Sequence, residues 1–245
     1  MSLIELQNIY KRFIIKKSRS ELLLHPFRKR FKEVLKDINI KIDQNGIYSL
    51  VGPNGSGKTT LLRIICGILF PDSGKLLINN SPFYLNPHIV FLISESDKGF
   101  FPRLSLNDNL LFFASLMSNN RKEAKEHTDF LINQFELTAE RDTRFQELSS
   151  GTRQRLSIAR AMLFDPQIIL FDEITKGIDL KQQQLIYSLI RKLQASGKTI
   201  IFATHLLNEI EALSDIVILI NEGRILRFAP YKDIRSDIKK VFNIL

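Results

Sequence analysis

The feature that most constrains this chain is a glycine-rich loop between an apolar run and a helical pattern. It reads Gly52-Pro53-Asn54-Gly55-Ser56-Gly57-Lys58-Thr59 and follows Ile47–Val51. Glycines permit backbone angles that turn several N–H groups inward, and the positive end of a helix beginning near Lys58 adds to them. We expect Lys58 to reach the β- and γ-phosphates of a nucleotide and the Thr59 hydroxyl to ligate Mg²⁺. We expect the following residue, Thr60, to belong to the nucleotide-binding loop as well. The strand before the loop and the helical pattern after it disfavour the alternative of a turn without a ligand.

Short apolar runs along the chain predict a sheet core. Ile47–Val51, Ile168–Phe171 and Thr199–Ala203 are continuous apolar runs of the kind found in parallel strands covered on both faces. The run Ile216–Ile220 ends at Asn221-Glu222-Gly223, which predicts a hairpin.

Two other patterns flank this core. The segments 4–7 and 38–42 alternate apolar and polar residues, as half-exposed antiparallel strands do. Residues 107–163 are predominantly helical in pattern. We therefore expect one α/β domain over 1–245, with a core at 1–94 and 166–230, a helical subdomain at 95–165 and a tail at 231–245.

The basic charge of the chain is concentrated in one segment. The net charge is +9, and Lys11 to Lys32 contains nine basic residues and one acidic residue. Since the rest is nearly neutral, a nucleic-acid-binding surface over the whole protein is not expected. We interpret 15–34 as a basic insertion, either a solvated loop or a segment against anionic headgroups or an acidic face of a membrane partner.

The single cysteine and the apolar runs bear on location. Cys66 lies in an apolar stretch, which predicts a buried thiol and excludes an internal disulfide. The N-terminus lacks a signal-peptide pattern, and no apolar run approaches the roughly 20 residues that span a bilayer. We expect an intracellular protein whose membrane role, if any, needs a partner.

An acidic pair follows the second apolar strand. Asp172 and Glu173 come directly after Ile168–Phe171. A charge at the end of a buried strand needs compensation, and Mg²⁺ supplies it for Asp172, while Glu173 would project toward an attacking water. The alternative is a pair of acidic residues that cap a helix N-terminus.

A small-residue turn before an amphipathic helix carries the family resemblance. Leu148-Ser149-Ser150-Gly151-Thr152 closely resembles the L-S-G-G-Q signature of the ATP-binding-cassette (ABC) family. By itself the turn could be a helix cap without a ligand. The phosphate loop, the signature, Asp172-Glu173, Gly177-Ile178-Asp179 and Thr204-His205 stand in the family's order, and the resemblance spans about residues 3–230.

The resemblance implies a P-loop NTPase (RecA-like) core with a mixed sheet, an antiparallel β subdomain and a helical signature subdomain. It implies a head-to-tail dimer in which Ser149, Ser150 and Gly151 bind the γ-phosphate held by the opposite subunit. Asp179 would belong to the loop linking the two sites, and His205 would contact the γ-phosphate. Phe13 matches the aromatic residue that stacks on adenine, a role for which Tyr10 competes.

The chain departs from the family at four places. The signature has Ser150 for glycine and Thr152 for glutamine, and Ile174 follows Glu173 where proline is usual. Ser150 keeps its backbone N–H, so phosphate binding survives if the turn does not need positive φ. Ser94 stands where a glutamine contacts Mg²⁺ and water. Ser94, through a bridging water, and Glu95 are the candidates for that contact, and the alternative is a loop that only relays motion.

The resemblance predicts an ATPase subunit that powers a membrane transporter from the cytoplasmic face. ATP and Mg²⁺ are the expected ligands, and a membrane-spanning permease and a second ATPase subunit, identical or homologous, are the expected partners. Segments 100–114 and 149–156 resemble the exporter branch that includes drug and polysaccharide export ATPases. An ABC ATPase acting on nucleic acid or ribosomes and a P-loop kinase are the competing interpretations. The single cassette and the signature argue against them.

Overall fold

The computed structural model describes residues 3–15, 30–43, 45–83, 89–94, 99–173 and 175–241. The backbone forms two compact units. The first comprises Met1–Gln44, Leu50–Pro87 and Ile216–Leu245, and the second comprises Asn45–Ser49 and His88–Asp215. The domain limits predicted from the sequence, with divisions near 95 and 165, stay a prediction.

The first unit contains an antiparallel sheet in the order β2-β1-β4-β5. Its strands are β1 (Ile4–Ile15), β2 (Arg30–Ile42), β4 (Ser73–Ile78) and β5 (Ser81–Pro82). The prediction that 4–7 and 38–42 are antiparallel strands is confirmed, and the structure shows that they pair with each other, with Ile4 opposite Ile42. Both strands run further than the alternation indicated. Residues 30–34 of the proposed basic insertion therefore belong to β2, whereas 16–29 lie outside the described residues.

The first unit also holds the helix after the glycine-rich loop and the C-terminal elements. These are α1 (Lys58–Ile65), β9 (Ile216–Asn221), β10 (Arg224–Pro230) and α7 (Tyr231–Val241). β9 and β10 pair antiparallel around Glu222-Gly223, which confirms the predicted hairpin. β9 is the neighbour of β3 (Ile47–Val51) in the strand order β10-β9-β3.

The second unit has the strand order β3-β8-β7-β6. β7 (Ile168–Asp172) and β8 (Thr199–Thr204) pair in parallel, as their continuous apolar composition predicts. β6 (Val90–Ser94), a strand that was not predicted from the sequence, pairs with β7 in parallel. The unit is completed by α5 (Leu180–Ala195) and α6 (Leu207–Leu213). With its parallel strands and the antiparallel β9–β10 hairpin, the fold is mixed α/β with an antiparallel β subdomain.

The predicted helical region contains α2 (Leu106–Met117), α3 (Arg121–Gln134) and α4 (Ser150–Met162). Each begins at a polar cap: Ser105, Asn120 and Ser149 accept hydrogen bonds from backbone N–H groups of the first turn. None of the helices in the described ranges combines the length and apolar character needed to cross a bilayer.

Candidate functional site

The glycine-rich loop joins β3 to α1 in the first unit, where sterics require its glycines. A Cβ on Gly52 would lie 2.1 Å from the carbonyl oxygen of Ile220 and 2.8 Å from Ser56 Oγ. Gly57 has φ +111°, and its Cβ would lie 2.8 Å from Leu35 Cδ2. Gly55 has φ +81° and faces open space. The loop thus presents bare backbone along an accessible edge.

The polar groups of this loop suit an anion. Lys58 is buried, and its Nζ donates to the carbonyl oxygens of Gly52 at 2.7 Å and Pro53 at 3.1 Å. Ser56 Oγ is buried and has no hydrogen-bond partner among the residues that the structure describes. The N-cap of α1 is Gly57, which supplies no side-chain acceptor, so the first-turn N–H groups stay available for phosphate oxygens. This cradle fits the phosphates of a nucleotide.

Phe13 lies on β1 opposite Lys32, with its side chain 42% exposed. Lys11 Nζ lies 5.6 Å from the centroid of its ring. Tyr10, the competing aromatic, is also exposed. Neither is a core residue, so a flat face remains accessible at both positions. The choice of Phe13 as the adenine-stacking residue stays a prediction.

In the second unit, the acidic pair lies at the carboxyl end of β7. Asp172 is its last residue and stands opposite Ser94 of β6 in the parallel register. Glu173 follows at φ +57°, a left-handed conformation unusual for glutamate, and its N–H donates to Ala203 O at 3.0 Å. The proposed helix-capping role for this pair is wrong, because α5 begins only at Leu180.

The carboxylate of Glu173 lies between two basic side chains. Its Oε1 is 3.4 Å from His205 Nδ1, and its Oε2 is 2.9 Å from Lys176 Nζ. His205 follows the last residue of β8, so the structure brings together two predicted residues 32 positions apart. Sequence reasoning missed Lys176. Its spacing of three from Glu173 within a turn was the available signal.

The signature turn is both a helix cap and a contact point. Ser149 Oγ accepts from the Thr152 N–H at 3.1 Å. Neither Ser150 nor Gly151 has a positive φ. The serine at position 150 is therefore compatible with the backbone of the turn, which was the condition for phosphate binding. Ser150 Oγ donates to Gly177 O at 3.0 Å. A Cβ on Gly151 would lie 2.8 Å from Gln182 Cβ, so this glycine gives α4 close approach to α5.

Asp179 caps the following helix. Its Oδ1 accepts from the Gln182 N–H at 3.1 Å, which opens α5. The loop before it, Thr175–Asp179, has its first residue buried and hydrogen-bonded to Glu209, a pair that the sequence did not reveal. Ile174 and Glu95, two positions raised by the sequence, lie outside the described residues. Cys66 is half-buried rather than a core thiol, and burial raises its pKa.

The residues fit Mg²⁺ that is bound together with a nucleotide. Within the described ranges, no group of three or more His, Cys, Asp or Glu side chains could hold a metal by itself. Mg²⁺ commonly takes one or two carboxylates with substrate phosphates and waters. Asp172, at the end of β7, offers one such carboxylate, and the assignment of Thr59 and Asp172 as joint Mg²⁺ ligands stays a prediction.

A P-loop followed by an acid-ended parallel strand defines the nucleotide-hydrolysing class of P-loop proteins. Comparison with known proteins then gives the family. A profile described as "ABC transporter" matches residues 35–176, more than half of the chain. The ABC transporter ATP-binding protein NatA of Bacillus subtilis (strain 168) is 32% identical over 203 residues, covering 81% of this chain and 82% of NatA. The chain belongs to the ABC transporter family as an ATP-binding subunit.

Solved structures agree on the fold. CbiO1 of Clostridium perfringens, part of the ABC transporter complex cbiONQ, superposes with a TM-score of 0.81 at 23% identity, covering 99% of this chain and 94% of CbiO1. The ATP-binding cassette MJ0796, dimeric and bound to ADP and Pi, gives 0.76 at 24% identity, covering 93% and 98%.

Family membership confirms several predictions. The chain is an ABC ATPase, a transporter subunit that uses ATP with Mg²⁺. Mg²⁺ supplies positive charge against the phosphate oxygens. The family resemblance inferred from the sequence was correct.

Proposed function

We propose that this chain is the motor subunit of an exporter, bound at the cytoplasmic face of the membrane. The similarity of segments 100–114 and 149–156 to the exporter branch supports the direction of transport. The membrane-spanning partner selects the transported molecule, and the ATPase subunits change its conformation by closing on ATP and reopening after hydrolysis.

The proposal assigns roles to the predicted site residues. Lys58 and His205 stabilise charge on the transferred phosphoryl group, and Thr59 and Asp172 hold Mg²⁺. Glu173 orients or deprotonates the attacking water. The observation that carries this last role is the position of Glu173 at the end of β7, 3.4 Å from His205.

The ATPase role is tested by Glu173→Gln in the purified chain. The variant keeps the size of the side chain and loses the carboxylate, so ATP still binds while turnover falls about 10²- to 10⁴-fold. A dimer that persists on ATP in size-exclusion chromatography accompanies the loss. Glu126→Gln, an exposed residue of α3, is the matched control and keeps the parental rate. Turnover near the parental rate in Glu173→Gln refutes the assignment.

The direction is tested with the membrane subunit that co-purifies with this chain. Inside-out membrane vesicles carrying the complex receive ATP on the outside, and mass spectrometry compares their contents with those of vesicles carrying Glu173→Gln. An exporter accumulates compounds inside the parental vesicles only. ATP-dependent accumulation confined to right-side-out vesicles loaded with ATP contradicts export.

A further inference from the structure

Two contacts that the family's usual motifs do not supply connect the loop Thr175–Asp179 of the second unit to its surroundings. Ser150, where the family usually has glycine, donates its hydroxyl to Gly177 O at 3.0 Å. The residue before that glycine, Lys176, places its Nζ 2.9 Å from Glu173 Oε2. The signature turn and the acidic residue at the end of β7 are therefore attached to neighbouring residues of one loop.

Hydrogen bonds hold the loop at residues on both sides of Lys176 and Gly177. Thr175 is 1% exposed and its hydroxyl donates to Glu209, which fixes the start of the loop. The Ile178 N–H donates to Thr175 O at 3.1 Å, and Gln183 Nε2 donates to Ile178 O at 2.7 Å. These bonds fix the residues on either side of Lys176 and Gly177, so we infer that a shift at the Gly177 carbonyl is passed to the adjacent lysine.

Glu173 needs such support. Its backbone is held in the left-handed region, where a glutamate stays only if its surroundings fix it. Lys176 is 53% exposed, and an isolated pair of this kind is weak and adaptable in solvent. The lysine can hold the carboxylate in one position only if its own loop is fixed, and Ser150 supplies a fixed point from α4.

From these contacts we propose that Ser150 and Lys176 are positioning residues that act in series on Glu173. The hydroxyl of Ser150 holds the loop, the loop holds Lys176, and Lys176 orients the carboxylate. A glycine at position 150 lacks the hydroxyl, so this arrangement belongs to the particular signature of this chain. The inference rests on the proposed function of Glu173 as the residue acting on water.

A double-mutant cycle on the purified full chain tests the series arrangement. Four proteins are compared at saturating ATP with Mg²⁺: the parent, Ser150→Gly, Lys176→Met and the double variant. Each single change removes one exposed polar contact and lowers kcat about two- to tenfold. If the two residues act through one another, the double variant falls no further than the more damaged single variant.

Three controls separate positioning from folding. Ser150→Ala removes the hydroxyl without adding backbone freedom and matches Ser150→Gly. Lys176→Arg keeps the cation and retains kcat within about twofold. Lys192→Met, at an exposed position of α5, leaves kcat unchanged, and combining it with Ser150→Gly gives the same kcat as Ser150→Gly alone. The KM for ATP of Lys176→Met stays parental, since the change acts on the carboxylate and not on nucleotide binding.

Two results overturn the inference. One is a double variant whose loss equals the product of the single losses. The other is a kcat unchanged in either single variant. Both leave hydrolysis through Glu173 intact, whereas full turnover in Glu173→Gln overturns the proposed function itself.

Discussion

Replacing Gly52 by alanine tests whether the phosphate-binding loop depends on the close approach of its backbone to β9. The added Cβ would lie 2.1 Å from the Ile220 carbonyl oxygen, a backbone atom that cannot rotate away. Real Cβ contacts stay above 3.0 Å, so the loop or β9 must move by at least about 0.9 Å. Overpacking of this kind costs about 1–3 kcal/mol of unfolding free energy.

The same displacement affects nucleotide binding. For a chain of this size, the destabilisation lowers Tm by about 2–12 °C. A hydrogen bond to a charged group is worth about 1.5–3 kcal/mol, so misaligning one loop N–H weakens ATP affinity about tenfold or more. Urea unfolding without nucleotide gives the stability change, and fluorescent ATP titration gives the affinity.

Gly46→Ala is the matched control. The atom nearest to its added Cβ would be Tyr48 Cε2 at 3.4 Å, an ordinary van der Waals distance, and the φ of Gly46 is not in the left-handed region. We expect both stability and ATP affinity to stay close to the parent. The steric reasoning is wrong if the unfolding free energy of Gly52→Ala lies within about 0.5 kcal/mol of the parental value, the usual range for neutral substitutions, and the variant binds ATP with parental affinity.

Two further predictions concern contacts that hold each unit together. Thr175→Val leaves Glu209 buried without the hydroxyl that donates to it, so the unfolding free energy measured in urea should fall by about 1–3 kcal/mol. Adding Glu209→Leu should recover part of this stability, and a double variant as unstable as Thr175→Val contradicts the prediction. The Arg12 N–H at 2.7 Å, then the Lys11 ammonium, lower the pKa of Asp72, so its contribution is present above the unfolded pKa and is lost as pH falls through the folded one. The stability difference between the parent and Asp72→Asn should therefore shrink below about pH 4 in urea unfolding, and a difference that grows there contradicts the assignment.

Much of the chemistry could be predicted from the sequence because it lies in contiguous motifs. The loop Gly52–Thr59 needs glycines for backbone reasons that act within a few residues, and Asp172-Glu173 ends a run of apolar residues. Strand type followed from local composition as well. The continuous apolar runs 168–171 and 199–203 became neighbouring parallel strands, and the alternating segments 4–7 and 38–42 became part of the antiparallel sheet.

Other features escaped local patterns. The alternating pattern begins only at residue 38, yet β2 already starts at Arg30, because pairing with β1 extends to the N-terminal side of the apolar pattern. Cys66 lies in an apolar run but is only half-buried. A short stretch of sequence does not show which side of a helix end is buried by elements that lie elsewhere in the chain.

The sequence by itself determined the family, the nucleotide loop and the identity of the acidic pair, since each is fixed by residue types at short spacing. Tertiary structure alone decided that Glu173 lies between His205 and Lys176, and that the Ser150 hydroxyl reaches Gly177, 27 residues away. Such contacts depend on how parallel strands register and how α4 packs near the start of α5. No periodicity within a single element encodes them, because they arise only when separate elements close against one another.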